Sequence, residues 1–170
     1  MDLKPYIRDI PDFPTPGILF RDITPLLQSP PAFGYVIDRL AEHYAARPVD
    51  AIVAIEARGF IFGAPLATRL GKPLVPARKE GKLPWNSHRA EYSLEYGTSV
   101  VEIHKDGISP GAGVLIVDDL LATGGTLAAA ANLVEQAGGR VESVALVIEL
   151  TQLEGRKRLK GYDILSLVQY

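Results

Sequence analysis

The stretch V-L-I-V-D-D-L-L-A-T-G-G-T-L-A-A-A-A, from Val114 to Ala131, decides how the chain is read. The run Gly113 to Val117 is apolar at nearly every position, as expected of a strand covered on both faces. Asp118 and Asp119 follow it directly. A short loop of Ala122, Thr123, Gly124, Gly125 and Thr126 comes next, then a helix over Leu127 to Ala137 that Gly138-Gly139 closes. A glycine loop feeding a helix is a ready phosphate cradle. The helix start offers unpaired N–H groups and a partial positive charge, and glycine lets the backbone come close to an anion. The two threonines add hydroxyl donors. Two carboxylates this near a phosphate would repel it unless a sugar lay between, with its hydroxyls donating to the acids. A plainer reading stays open at this point: a Gly-Gly turn, with Thr126 as an N-cap. The loop is neither a G-x-x-x-x-G-K-[ST] nor a G-x-G-x-x-G motif.

Working outward, Ala51 to Ile55 is a second short apolar run. Before it, Phe33, Val36, Ile37, Leu40, Ala41 and Tyr44 keep helical spacing until Pro48. After it, a helix through Ala64, Ala67 and Leu70 ends at Gly71, which requires Pro65 in its first turn. Pro73 to Ala77, Ser99 to His104, Val141 to Leu150 and Ile164 to Val168 read as strands. Strand and helix alternate, so the expected fold is α/β: an open, mainly parallel sheet flanked by helices. Ligands then sit at the carboxyl ends of the strands, after Ile55, Ala77, Val117 and Ile148. Residues 11–31 hold six of the 13 prolines and predict an ordered irregular arm or surface loop. Residues 78–98 form a long polar stretch, the kind of loop that serves as a lid.

The whole of 1–170 reads as one domain. Net charge is -2, so no global basic field draws the chain to nucleic acid. The absence of cysteine excludes disulfides and thiolate chemistry. No apolar run is long enough for a membrane span, and the charged N-terminal residues are no signal peptide, so the expected location is cytoplasmic.

Several side chains stand at the predicted strand ends. Arg58, with the Ala57–Arg58 backbone, follows Ile55 and suits bidentate clamping of phosphate oxygens, or a structural pair with Glu56. Arg78, Lys79 and Lys82 bring three positive charges to the opening of the long loop. Glu95 and Tyr96 lie on the same loop. Phe20 and Leu150 could stack on a flat base or be ordinary core. His43, His88 and His104 have no partner at metal-ligand spacing.

The run 114–126 resembles the signature of type I phosphoribosyltransferases. F-R-D-I-T-P (20–25), E-A-R-G-F-I-F-G (56–63), R-K-E-G-K-L-P (78–84), Y-S-L-E-Y-G (92–97) and I-E-L-T (148–151) resemble the adenine-using branch of that family. The resemblance implies the type I phosphoribosyltransferase fold with a small N-terminal hood at 1–31 and a flexible catalytic loop at 78–98. It implies Mg²⁺-dependent transfer of adenine to phosphoribosyl pyrophosphate, giving AMP and pyrophosphate. Asp118 and Asp119 would hold the ribose, and Ala122 to Thr126 the 5′-phosphate. Ala57, Arg58, Arg78, Lys79 and Lys82 would hold pyrophosphate. Glu95, with Tyr96 beside it, would move the purine's proton. Leu19, Phe20, Arg21 and Leu150 would hold the base, the main chain near Leu19 and Arg21 reading its amino edge. Mg²⁺ would rest mainly on substrate and water, with no direct protein ligand. The family is usually homodimeric. Two rivals stand beside this reading. One is an enzyme of the same fold that takes an oxopurine. The other is a regulator that senses phosphoribosyl pyrophosphate, which would need a DNA-binding module that the proline-rich 1–31 cannot form.

Overall fold

The computed structural model describes residues 1–93 and 98–170. A seven-stranded sheet runs in the order β5-β6-β4-β3-β7-β8-β9. The strands are β3 (Ala51–Ile55), β4 (Leu74–Lys79), β5 (Ser87–Ser93), β6 (Thr98–His104), β7 (Gly113–Leu121), β8 (Arg140–Glu149) and β9 (Ile164–Gln169). Pairings β3–β4, β3–β7, β7–β8 and β8–β9 are parallel, whereas β6 is antiparallel to both β4 and β5. The expected mainly parallel sheet is present.

Two helices cover one face and a third covers the other. Helices α2 (Pro30–Tyr44) and α3 (Arg58–Leu70) bring Val36, Leu40, Tyr44, Phe62 and Leu66 onto Ile52, Leu115, Val117, Ala145 and Val147. Helix α4 (Gly125–Gln136) brings Leu127, Ala130 and Leu133 onto Val53, Ile55, Val114, Ile116, Val144 and Leu146. Neighbouring strand residues point to opposite faces, so Ile52 and Val53 enter different cores. That is why these strands are apolar throughout rather than alternating.

Three expectations need correction. First, α3 begins at Arg58, not near Ala64, and Pro65 lies inside the helix. Proline there removes one helix hydrogen bond and frees the carbonyl of Ile61. The interruption falls on the outer face, where Ile61, Ala64 and Thr68 are exposed. Second, residues 78–98 are not one loop. Arg78 and Lys79 end β4, and Ser87–Ser93 is an edge strand. Between Ser87 and Tyr92, Ala90 alone is fully buried, with Tyr92 half-buried beyond exposed Glu91, so the short alternation is masked by polar residues. Third, the arm is regular. Strands β1 (Arg8–Pro11) and β2 (Leu19–Asp22) form a hairpin, and a short helix α1 (Thr24–Leu27) follows. The prolines sit where no N–H is required: Pro11 ends a strand, Pro25 and Pro30 stand in first helical turns. No helix of the described residues is long and apolar enough to cross a membrane.

Candidate active site

Strand β3 is followed in sequence by β4 on one side and pairs β7 on the other. The order therefore reverses between β3 and β7, and a crevice opens beyond their carboxyl ends. A cleft of about 430 Å³ lies there, lined by Glu56, Ala57, Arg58, Lys79, Tyr92, Asp118, Asp119, Leu120 and Thr126, with Ile55 behind. A smaller hollow of about 90 Å³ adjoins it, lined by Asp118, Leu120, Ala122, Thr123, Gly124, Gly125, Thr126 and Leu127. The two share Asp118, Leu120 and Thr126. A larger hollow, about 550 Å³, lies elsewhere, between Met1–Lys4 and the outer edge of β9, and contains none of these groups.

Each hollow meets a helix start. Helix α4 is capped by Gly124 at φ +82°, with no side chain bonded to its first amides. Thr126 is thus not the N-cap. The cap needs a left-handed residue, and a β-carbon on Gly124 would also stand 2.5 Å from the Gly155 carbonyl oxygen. Helix α3 starts after Ala57, again with no side-chain cap. Both sets of amides are free to meet an anion. Gly59 lets α3 approach β7 closely, since a β-carbon would lie 2.8 Å from the Val117 carbonyl oxygen.

The floor between the hollows is acidic. Asp119 is 3% exposed, and its Oδ2 lies 2.6 Å from Arg58 Nε as an ion pair, but it is not aligned with any hydrogen-bond donor. Asp118 Oδ1 accepts the Asp119 amide at 2.8 Å. Burial, then the Asp119 carboxylate beside it, push the Asp118 carboxyl well above its ordinary range. Arg58 pairs with Asp119 and not with Glu56. Glu56 instead accepts the Lys79 amide at 2.6 Å and Arg78 Nε at 3.0 Å. Burial raises the Glu56 carboxyl, but the Lys79 amide and the Arg78 guanidinium together bring it below the usual value. Arg78 also donates to the Lys82 carbonyl at 3.0 Å. So Lys79 lines the cleft, Arg78 braces it through Glu56, and exposed Lys82 lies outside its lining.

The hairpin reaches the cleft through Phe20. The Arg58 guanidinium lies 5.5 Å from the centre of the Phe20 ring, and Phe13 packs edge-on against that ring at 5.1 Å. Leu19 is exposed and pairs with Pro11 across the hairpin. Proline has no N–H to give, so the Leu19 carbonyl takes no ladder hydrogen bond from Pro11. Arg21 pairs with Asp9 and stacks on Tyr170, its guanidinium 3.7 Å from the ring centre. Leu150 is half-buried against the first core, its amide bonded to the Leu121 carbonyl at 2.9 Å. Glu95 and Tyr96 lie outside the described residues.

Sequence reasoning overlooked Glu56, Tyr92 and Gly155. In the sequence Glu56 reads only as a partner for Arg58, its neighbour but one. Gly155 had no signal in its neighbourhood, because the loop it backs is about thirty residues earlier in the chain.

Similarity to known proteins agrees with this architecture. The family model described as phosphoribosyl transferase domain matches residues 25–168. The adenine phosphoribosyltransferase of Roseiflexus sp. (strain RS-1) is 59% identical over 99% of this chain and 98% of its own length. The crystal structure of the Thermoanaerobacter pseudethanolicus adenine phosphoribosyltransferase superposes with a TM-score of 0.96 at 57% identity, covering 99% of this chain and 98% of that one. The Saccharomyces cerevisiae enzyme, solved with adenine and an imino-altritol bisphosphate, superposes at 0.92 with 43% identity over 97% and 96% of the two chains. The chain belongs to the phosphoribosyltransferase family, in its adenine phosphoribosyltransferase branch.

Proposed function

We propose that this enzyme joins adenine to the ribose of phosphoribosyl pyrophosphate, releasing pyrophosphate and forming AMP, as one domain spanning 1–170. The observation that carries the reading is the pair of adjoining hollows. Each opens on an uncapped helix start, and they share the Asp118 floor. A sugar with a phosphate at one end and a diphosphate at the other has that layout.

The 5′-phosphate occupies the hollow from Ala122 to Thr126, held by the first amides of α4 and the threonine hydroxyls. Pyrophosphate lies over the first amides of α3, with Ala57, Arg58 and Lys79 around it and Arg78 and Lys82 close by. The ribose hydroxyls donate to Asp118 and Asp119, which hold the ring as positive charge builds at the anomeric carbon. Adenine lies beneath the β1–β2 hood against Phe20, with Leu150 on the far side. The Leu19 carbonyl, which takes no hydrogen bond from Pro11, accepts from its amino group, with the Arg21 main chain alongside. An oxo group there would leave the carbonyl unpaired, at about 1–3 kcal/mol. By family resemblance Glu95, with Tyr96, takes the purine's proton.

Mg²⁺ belongs to this proposal as an ion carried on substrate oxygens and water. Among the described residues no group of three or more His, Cys, Asp or Glu could hold a metal. Asp118 and Asp119 line the cleft as hard carboxylate oxygens that suit the water shell of such an ion, without ligating it directly. When bound, the ion neutralises the leaving pyrophosphate. We also propose a cytoplasmic homodimer. The family resemblance supports the homodimer, and light scattering at a monomer mass would remove it.

One assay tests the reaction. Pyrophosphate release is measured with phosphoribosyl pyrophosphate and Mg²⁺ against adenine, hypoxanthine, guanine and xanthine. Release with adenine alone is expected. Release with an oxopurine would overturn the hood reading, and release with no base would overturn the enzyme reading. In the same assay Glu95→Gln should lower kcat much more than it raises KM.

A further inference from the structure

We propose that Glu149, Arg156 and Gly155 are positioning residues that hold the 5′-phosphate loop in shape from behind, a role that rests on the reaction proposed above. None of them lines either hollow.

Two glycines meet back to back. A β-carbon on Gly124 would stand 2.5 Å from the Gly155 carbonyl oxygen, and one on Gly155 would stand 2.3 Å from the Ala122 carbonyl oxygen and 2.6 Å from Leu121 Cδ1. The loop that caps α4 therefore rests on the backbone of Gly155. Between Gly124 and Gly155 the contact is backbone on backbone. Any displacement of Gly155 is passed on to Ala122 and Gly124, and so to the amides that face the phosphate.

Gly155 has little of its own to hold it. It opens a 3-10 turn, Gly155–Leu159, in which only Gly155 and Leu159 are buried. Such turns have poor hydrogen-bond geometry and little independent stability. The next residue supplies the anchor. Arg156 donates from Nε and Nη2 to the two carboxylate oxygens of Glu149 at 2.6 and 2.7 Å. Glu149 ends β8 with its side chain 5% exposed, and it also accepts from Ser166 Oγ at 2.6 Å and Gln169 Nε2 at 3.2 Å on β9. A planar fork on a rigid, buried carboxylate fixes direction as well as distance. The chain of contacts runs from the sheet edge through Glu149, Arg156 and Gly155 to Gly124. Arg156 remains 45% exposed, so the pair is not explained as core packing.

The test separates the two ends of the substrate. Calorimetry measures binding of ribose 5-phosphate, and separately of pyrophosphate with Mg²⁺, to the intact enzyme and to Arg156→Ala, Arg156→Lys and Glu149→Gln. Steady-state kinetics supply KM and kcat. In Arg156→Ala the ribose 5-phosphate Kd and the phosphoribosyl pyrophosphate KM should rise about tenfold to hundredfold, the scale of a small misplacement of binding groups. Pyrophosphate affinity and kcat at saturation should stay within roughly twofold. Arg156→Lys keeps the charge but not the fork and should fall between; it carries the measurement if the alanine variant does not fold. Equal loss of both affinities, or no loss of either, would overturn the proposal. Ribose 5-phosphate binding needs no turnover. A parent enzyme that releases no pyrophosphate would thus overturn the reaction, while a selective loss in Arg156→Ala would still uphold the positioning role.

Discussion

Asp118 accepts the amide of Asp119 and shares its floor with that second carboxylate. Burial and the neighbouring charge raise its carboxyl well above the ordinary range, so folding favours the protonated acid. For an acid whose folded value exceeds its unfolded value, stability is lost as pH rises from the unfolded value through the folded one. At neutral pH the ligand-free enzyme therefore carries a cost. Asp118→Asn removes the charge and keeps the acceptor. The variant should melt higher than the parent at neutral pH, each kcal/mol recovered appearing as about 2–4 °C, and the gain should fade below the usual carboxylate pKa. It should also bind ribose 5-phosphate more weakly. A lower Tm at neutral pH would refute the linkage. Stability is spent here on a binding group, as is common at functional sites.

At the scale of elements, the site depends on how closely α3 lies on the sheet. Gly63 faces Ala54 on β3, and a β-carbon there would be 2.5 Å from the Ala54 β-carbon. Alanine would gain about 1 kcal/mol in helix propensity. Overpacking against a buried central strand costs about 1–3 kcal/mol, and a methyl group has no torsion by which to escape. The clash should win. Gly63→Ala should lower the urea midpoint with the slope unchanged, and a raised midpoint would show that α3 can move outward freely. The same closeness places the start of α3, and with it Arg58, against Asp119.

At the scale of the molecule, the hood is rooted in the core through Leu3, Ile7, Ile23 and Leu26, and two guanidinium–aromatic contacts join its strands to the body. Phe20 lies against Arg58 at the cleft, and Arg21 and Lys4 lie over Tyr170, at 3.7 and 5.2 Å from the ring centre. Tyr170 is itself fixed by its backbone, which bonds Glu149 and Thr151. Tyr170→Ala should free Arg21 and cost about 0.5–2 kcal/mol of cation–π attraction. The expected readout is a raised KM for adenine with the phosphoribosyl pyrophosphate KM nearly unchanged. An equal rise in both would mean that the contact holds the whole fold and not the hood alone.

What the sequence determined by itself was local and periodic. The apolar runs at 51–55 and 113–117, the acids at 118 and 119, and the Thr-Gly-Gly-Thr run that leads into α4 could be read in order, because strand, loop and helix start are neighbours in the chain. The hairpin in 1–31, the edge strand at 87–93 and the helical start at Arg58 could not. Each depends on a partner far away in sequence that supplies hydrogen bonds or a buried face. Only the tertiary structure decided that Arg58 pairs with Asp119 and leaves Glu56 to Arg78 and Lys79. Only it brought Gly155 behind Gly124. Spacing along a chain reports which residues share a face of one element. Which elements touch is settled by the packing of the sheet and its helices, where a missing β-carbon or a single buried carboxylate selects the neighbour.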